Sequence, residues 1–518
     1  MPFDTFFDHI STGLGVPPDH IKMVVSVLLT YPYAVIFNHL PDSPTIKHLF
    51  SIIITTITFV WFHGLYVGFA QLLSNALFVY FFMKYNKGKW APLVVFVLTM
   101  MHMSYSQITR QMKGYLGDDN FDHTAPQMVL TMKLTAFAFN VYDGTKPVST
   151  LSDYQRSNQV RTYPTLLSFL GWVFFFGGFL AGPAFEFSDY VNFIDSSVFA
   201  ITDEKTGKTK IVKPNGTWPA LEKLSVSLVC AALLTALGPH FNILDAAHPV
   251  WMARPFWYKI IFVQIVSFCV RLKYYTIWLM AEGACIMCGL SFNGYDPATG
   301  KAKWNRMPNI DILAYEKAQN VKELLEAWNM RTNVWLKNYV YLRVTQPGKK
   351  PGFTSTLVTF GTSALWHGFH PGYYLTFITG ALLQNTGKHL RRYLRPLVFT
   401  PDLKQALPIK TAYDIAGYLL TQMAFNYTVM PFVILSFTNS VNLWRSLYFY
   451  THVGILVIEL FFAVGGKAWC QSVQKKRVEK AGLRLKEVPE TNKVIVSETG
   501  IPETVTDGGI QVGKVKLQ

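Results

Sequence analysis

Two short stretches carry the residues with the most chemistry to offer. The first, SALWHGFHPGYYLTF (Ser363–Phe377), places His367 and His370 three residues apart inside an otherwise apolar run. Imidazole titrates near neutrality and can take a proton from an alcohol at physiological pH. An ionisable ring at membrane depth is costly, and it reads first as a functional group facing a cavity. A histidine satisfied by a neighbouring carbonyl is the plainer alternative. Gly368, Pro371 and Gly372 allow a backbone or a ligand to come close. His370, beside Pro371, is equally explained by a place at the membrane interface. The second stretch, AWNMRTNVWLK (Ala327–Lys337), holds Asn329, 38 residues before His367. Its amide can donate to a carbonyl oxygen or hold a hydroxyl, the help that acyl transfer needs beside a base. Taken alone, Asn329 also fits a helix cap or a surface position. No metal centre is expected, because no third Cys, His, Asp or Glu accompanies the two histidines locally.

The elements that must position these groups are membrane helices. Half of the 518 residues are hydrophobic and only 15% are charged, against roughly 25% charged in soluble proteins. The 47 Lys and Arg outweigh the 31 Asp and Glu, for a formal charge of +16. They fall mostly in loops and in the C-terminal region, as the positive-inside rule expects of cytoplasmic segments. Orientation and anionic headgroups therefore account for the charge without nucleic acid. The five cysteines lie mainly in apolar runs and form no disulfide framework. MPFDTFFDHISTG lacks the basic start of a cleavable signal peptide.

About eleven apolar runs approach the roughly 20 residues that cross hydrocarbon as helix. They fall near 23–40, 48–69, 72–85, 90–108, 164–185, 224–244, 257–270, 274–290, 354–384, 412–437 and 447–464. Residues 127–142 are less uniformly apolar and lie either in the membrane plane or inside the bundle. Arg271 and Lys273 divide one long run, which suggests a helix break or a cytoplasmic turn. The expected layout is a transmembrane catalytic domain over residues 1–466, with non-spanning segments at 203–220 and 295–350. The second of these carries ten Lys and Arg against five Asp and Glu, and reads as interfacial helices. The first contains an Asn215-Gly216-Thr217 glycosylation sequon, whose lysine-rich neighbours argue against a lumenal place. Residues 467–518 lose apolar periodicity and read as a disordered, basic cytosolic tail. The tail ends in KVKLQ, which resembles a dilysine-type endoplasmic reticulum retrieval signal. Absent are the P-loop, the dinucleotide fingerprint and the H-E-x-x-H motif.

SALWHGFHPGYYLTF resembles the W-H-G-x-x-x-G-Y signature of the membrane-bound O-acyltransferase (MBOAT) family, and AWNMRTNVWLK resembles its asparagine motif at the expected distance upstream. FLAGPAFEFSDYVNFI (Phe179–Ile194), GYDPATGKAKWNRMPNIDIL (Gly294–Leu313), YTVMPFVILSF (Tyr427–Phe437) and LYFYTHVGILV (Leu447–Val457) are similar, in order, to the lysophospholipid acyltransferase branch. The resemblance covers nearly all of the chain except the tail. Two departures bear on it. Relatives often carry Trp-Asp where this chain has Trp304-Asn305. Glu326-Ala327-Trp328-Asn329 replaces the Asp-Trp-Trp-Asn pattern of diacylglycerol and sterol acyltransferases, which favours a lysophospholipid acceptor.

The resemblance implies an all-α polytopic fold, with in-plane helices around a central reaction chamber in the endoplasmic reticulum membrane. It implies that His367 is the general base and that Asn329 positions the reacting oxygens. An acyl-CoA co-substrate would donate to the free hydroxyl, commonly sn-2, of a lysophospholipid; no other cofactor and no metal is implied. Trp328, Trp335, Trp366, Tyr373 and Tyr374 become candidate walls for the lipid chains, with plain core packing as the alternative for each. Lys337, Arg343, Lys349 and Lys350 become candidates for attracting the donor's phosphates. His452 and Glu459 are further ionisable residues at membrane depth, each explained by a function or by a buried pair. Glu186 and Asp189 are expected at a helix end near the interface. The competing readings are an MBOAT enzyme acylating a neutral lipid or a protein, and a transporter. The latter would need substrate flux with no covalent product, and the inverted repeats and in-membrane charge chains that many transporters show are absent from the sequence.

Overall fold

A computed structural model describes residues 4–14, 16–114, 121–202, 207–345 and 351–481. Nearly all regular structure in them is helical. The exception is a short antiparallel hairpin, Ala200–Thr202 against Thr209–Ile211, in the segment expected to be loop. Helices dominate for a physical reason: only a helix or a closed barrel satisfies every backbone polar group inside hydrocarbon.

Among the described residues, seven helices are long and apolar enough to cross a membrane: Pro18–His39, Pro44–Phe62, Tyr66–Tyr85, Ala91–Met112, Thr217–Ala246, Phe256–Cys288 and Tyr450–Lys480. The expected apolar runs depart from these at four places. Near 257–290, two runs are one continuous helix, Phe256–Cys288. Arg271 does not break it, because its charge is met inside the bundle. Its Nε and Nη2 donate to Glu316 at 2.9 Å each, and its Nη1 donates to Asn426 Oδ1 at 2.9 Å. Near 354–384 the opposite holds. One apolar run becomes two helices, Phe353–His367 and Pro371–Tyr393, parted at Gly368, whose φ of 124° is a left-handed backbone that suits glycine. The run at 412–437 falls on the Ile409–Ile434 helix, which is not among the seven, and its last three residues lie beyond that helix.

The fourth departure is at 164–185. Only Leu166–Val173 is a regular helix there, and residues 174–185 run irregularly through the apolar core. Irregular backbone at such depth needs partners, and it has them. Lys133 Nζ donates to the Trp172 carbonyl at 2.5 Å, Thr55 Oγ1 to Phe174 at 2.7 Å, Trp172 Nε1 to Phe185 at 3.2 Å, and Arg331 Nε to Ala184 at 2.7 Å. Lys133 is itself buried, its ammonium 4.8 Å from the Trp172 ring centre and 4.5 Å from that of Phe185. It sits on Thr124–Asp143, whose side chains are buried almost all round. The run at 127–142 is therefore a helix of the bundle interior.

Toward the C-terminus, the expected disorder begins too early. Lys467–Lys480 is helical, and Arg477 donates to the carbonyls of Pro396 and Phe399. The rest of the expected tail, 482–518, lies outside the described residues. All five cysteines are free and buried.

Candidate active site

The corner that carries Asn329 joins two short helices, Val321–Ala327 and Met330–Leu336. Asn329 adopts φ 43° and ψ 52°, a left-handed conformation that Asn tolerates better than most residues. The corner is pinned on both sides. Met330 N donates to Asn309 O at 2.8 Å, and Asn333 Nδ2 donates to Trp328 O at 2.7 Å. Arg331 reaches across to the carbonyls of Ala184 and Arg306. The Asn329 side chain is oriented as well, its Oδ1 accepting from Thr332 Oγ1 at 2.7 Å. Four aromatic rings crowd Trp328: Trp278 at 5.0 Å, Tyr315 at 5.2 Å, Tyr274 at 5.5 Å and Tyr275 at 6.1 Å.

His367 is the last residue of Phe353–His367. Its ring lies against Trp366, Tyr373, Phe377 and Phe432. Pro371 opens the next helix at its first turn, where a missing N–H costs nothing. Only Gly368, Phe369 and His370 separate the two helices, with His367 at the junction. His367 and Asn329 come from different helix ends, yet both line one cavity of about 1950 Å³. That volume exceeds the roughly 300–1,000 Å³ of pockets for drug-sized ligands and has room for more than one long-chain molecule.

Trp328, Trp366, Tyr373, Lys337 and His370 also line the chamber. Three other candidates do not. Trp335 is buried, donates from Nε1 to Thr135 Oγ1 at 2.9 Å and stacks on Phe96. Tyr374 is half-buried outside the lining. Arg343 is engaged by the fully buried Asp143, with Nη1 donating to Oδ1 at 2.9 Å and Nη2 to Oδ2. Such a pair ties the turn after Lys337–Tyr341 to the end of Thr124–Asp143 and leaves little charge for a phosphate. Lys349 and Lys350 lie outside the described residues.

Cations that the sequence reading passed over do line the chamber: Arg110, Lys273, Lys322, Lys388 and Arg391. They come from four separate helices, Lys388 and Arg391 sharing one, so no single local pattern gathers them. Phe377 and Phe432 were likewise missed; both lie in or beside quoted motifs, but a phenylalanine announces no chemistry. Among the described residues, no three His, Cys, Asp or Glu groups cluster as metal ligands.

The remaining polar candidates are structural ties. His452 meets Tyr427 OH at 2.9 Å and Thr379 Oγ1 at 3.2 Å through its two ring nitrogens. Glu459 pairs with His389 at 3.0 Å and accepts from Thr386 Oγ1 at 2.7 Å. Glu186 stands at a helix start, as expected, but is buried. It accepts from Tyr154 OH and Asn140 Nδ2, both at 2.7 Å. Asp189 pairs with Arg306 at 3.0 Å.

Comparison with known proteins gives one consistent result. Residues 110–430 match the sequence profile of MBOAT, the membrane-bound O-acyltransferase family. A lysophospholipid acyltransferase of Schizosaccharomyces pombe is 40% identical, over 88% of this chain and 88% of that protein. A Saccharomyces cerevisiae protein of the same name is 38% identical over 90% of this chain and 77% of its own length. The human membrane-bound glycerophospholipid O-acyltransferase 2 is 30% identical over 88% and 87% respectively. With the profile spanning most of the chain and the likeness running nearly end to end, the chain belongs to the membrane-bound O-acyltransferase family.

Proposed function

We propose that the protein transfers a fatty acyl group from acyl-CoA to the free hydroxyl, commonly sn-2, of a lysophospholipid. The observation that supports this reading is that His367 and Asn329 line the same large chamber. The names of the yeast and human relatives point to the same acceptor class.

In the proposed step, His367 takes the proton of the acceptor hydroxyl as its oxygen attacks the thioester carbonyl. Asn329, its Oδ1 engaged by Thr332, presents its amide N–H groups to the developing oxyanion. The C–S bond then breaks, and the imidazolium returns the proton to the leaving sulfur. The products are a diacyl phospholipid and coenzyme A as the thiol. No acyl-enzyme forms. Lys273, Lys322, Lys337, Lys388 and Arg391 in the lining would favour the phosphates of the donor. Arg343 takes no part, being held by Asp143. Trp328, Trp366 and Tyr373 bound the space for lipid chains, and Trp335 backs Trp366 with ring centres 6.2 Å apart. The protein works in the endoplasmic reticulum membrane, with its basic C-terminal region in the cytosol.

The test is to incubate membranes containing the protein with labelled acyl-CoA and a panel of lysophospholipids, diacylglycerol and a peptide acceptor. Label should enter diacyl phospholipids and depend on His367. Incorporation into triacylglycerol or peptide instead would overturn the acceptor assignment.

A further inference from the structure

Two of the four rings around His367 come from outside its own tight turn. Phe377, on the Pro371–Tyr393 helix, lies nearly parallel to the imidazole, with centres 5.3 Å apart and planes at 20°. Phe432, on the Ile409–Ile434 helix, stands edge-on at 4.8 Å and 85°. Trp366 and Tyr373 complete the surround at 4.6 Å and 5.7 Å. Phe432 also touches Tyr373 at 4.8 Å. All five residues line the chamber, so the rings form part of the reaction space rather than a distant core.

Backbone contacts deliver Phe432 to this place. Gly372 N donates to Leu435 O at 2.9 Å. A Cβ at Gly372 would lie only 2.0 Å from the Pro431 carbonyl oxygen, so the two helices meet at a distance that glycine alone permits. Phe432 follows Pro431 directly and is thereby set beside His367. The same two helices are tied a second time by His452, through Tyr427 on one and Thr379 on the other.

We infer that Phe377 and Phe432 are positioning residues that hold the His367 imidazole in one orientation toward the acceptor hydroxyl. The inference rests on the proposed base role of His367. A ring with one face against Phe377 and Phe432 set edge-on to it cannot rotate freely about its side-chain bonds. Proton abstraction needs hydrogen-bond reach of about 2.6–3.2 Å, and a misplacement near 1 Å can cost about 100-fold in rate. The rings therefore act on turnover through His367, not on substrate affinity.

The experiment compares Phe377→Leu, Phe432→Leu and their Tyr counterparts in the full-length protein. It measures kcat and KM for acyl-CoA and lysophospholipid, with thermal midpoints alongside. Each Leu variant should lose about 10- to 100-fold in kcat with KM nearly unchanged, and each Tyr variant should recover most of the rate. Placed in a His367→Ala background, neither Leu substitution should lower the residual rate further. Unchanged kcat in both Leu variants overturns the inference. A rise in KM alone does so too, since it makes the rings a wall for substrate. If Phe432→Leu fails to fold, Phe377→Leu makes the same comparison from another helix. Full activity of His367→Ala sinks the base assignment itself; an inactive His367→Ala with fully active Leu variants sinks only the role of the rings.

Discussion

The backbone N–H of Gly372 donates to the carbonyl of Leu435 at 2.9 Å, locking the start of one chamber helix to the end of another. Leu435 itself holds φ 65°, a left-handed value that is uncommon outside glycine. The contact sits between the His367 corner and Phe432, so it couples helix packing directly to the proposed base.

That coupling predicts the effect of a single methyl. In Gly372→Ala the new Cβ meets the Pro431 carbonyl oxygen at 2.0 Å, and the helices must part. Activity should fall about 100-fold, and the thermal midpoint in detergent should drop with it. Wild-type behaviour in both assays would mean that the close approach is dispensable.

His367→Ala should abolish acyl transfer, a loss of about 100- to 10,000-fold for a missing general base. The variant should still insert in membranes and elute as a folded species in size-exclusion chromatography. Normal turnover by it would remove His367 from the mechanism.

Asn329→Ala should lower kcat by about 100- to 1,000-fold, the range seen when an oxyanion donor is removed. Thr332→Val deletes only the bond that orients the amide, so its loss should be smaller, about tenfold. Steady-state kinetics on both variants check the ordering. An inverted order would show that Thr332 has a part of its own.

Arg343→Ala leaves the fully buried Asp143 without its guanidinium. Removing one partner of a buried pair costs about 3–5 kcal/mol, so thermal unfolding should shift well down. In Arg343→Lys, where some charge pairing survives, KM for acyl-CoA should stay near the wild-type value. A large rise in that KM with unchanged stability would return Arg343 to the donor site.

The amino-acid sequence alone determined the class of the molecule and singled out His367 and Asn329 as the candidates for its chemistry. Hydropathy and helical period are local properties, so the apolar runs showed where most helices lie. His367 and Asn329 stood out because each breaks the local rule, one as an ionisable ring in grease and the other as an amide among tryptophans. Tertiary structure decided what local rules cannot reach. Arg271 reads as a helix break until Glu316 and Asn426 are seen to receive its charge. Arg343 reads as a phosphate ligand until Asp143, 200 residues away in sequence, occupies it. Phe377 and Phe432 carry no chemical signal, and they gain meaning only where three helices converge on one imidazole. The reason is common to all of these cases: a charge or a ring acquires its role from what surrounds it, and helix packing, not chain order, sets those surroundings.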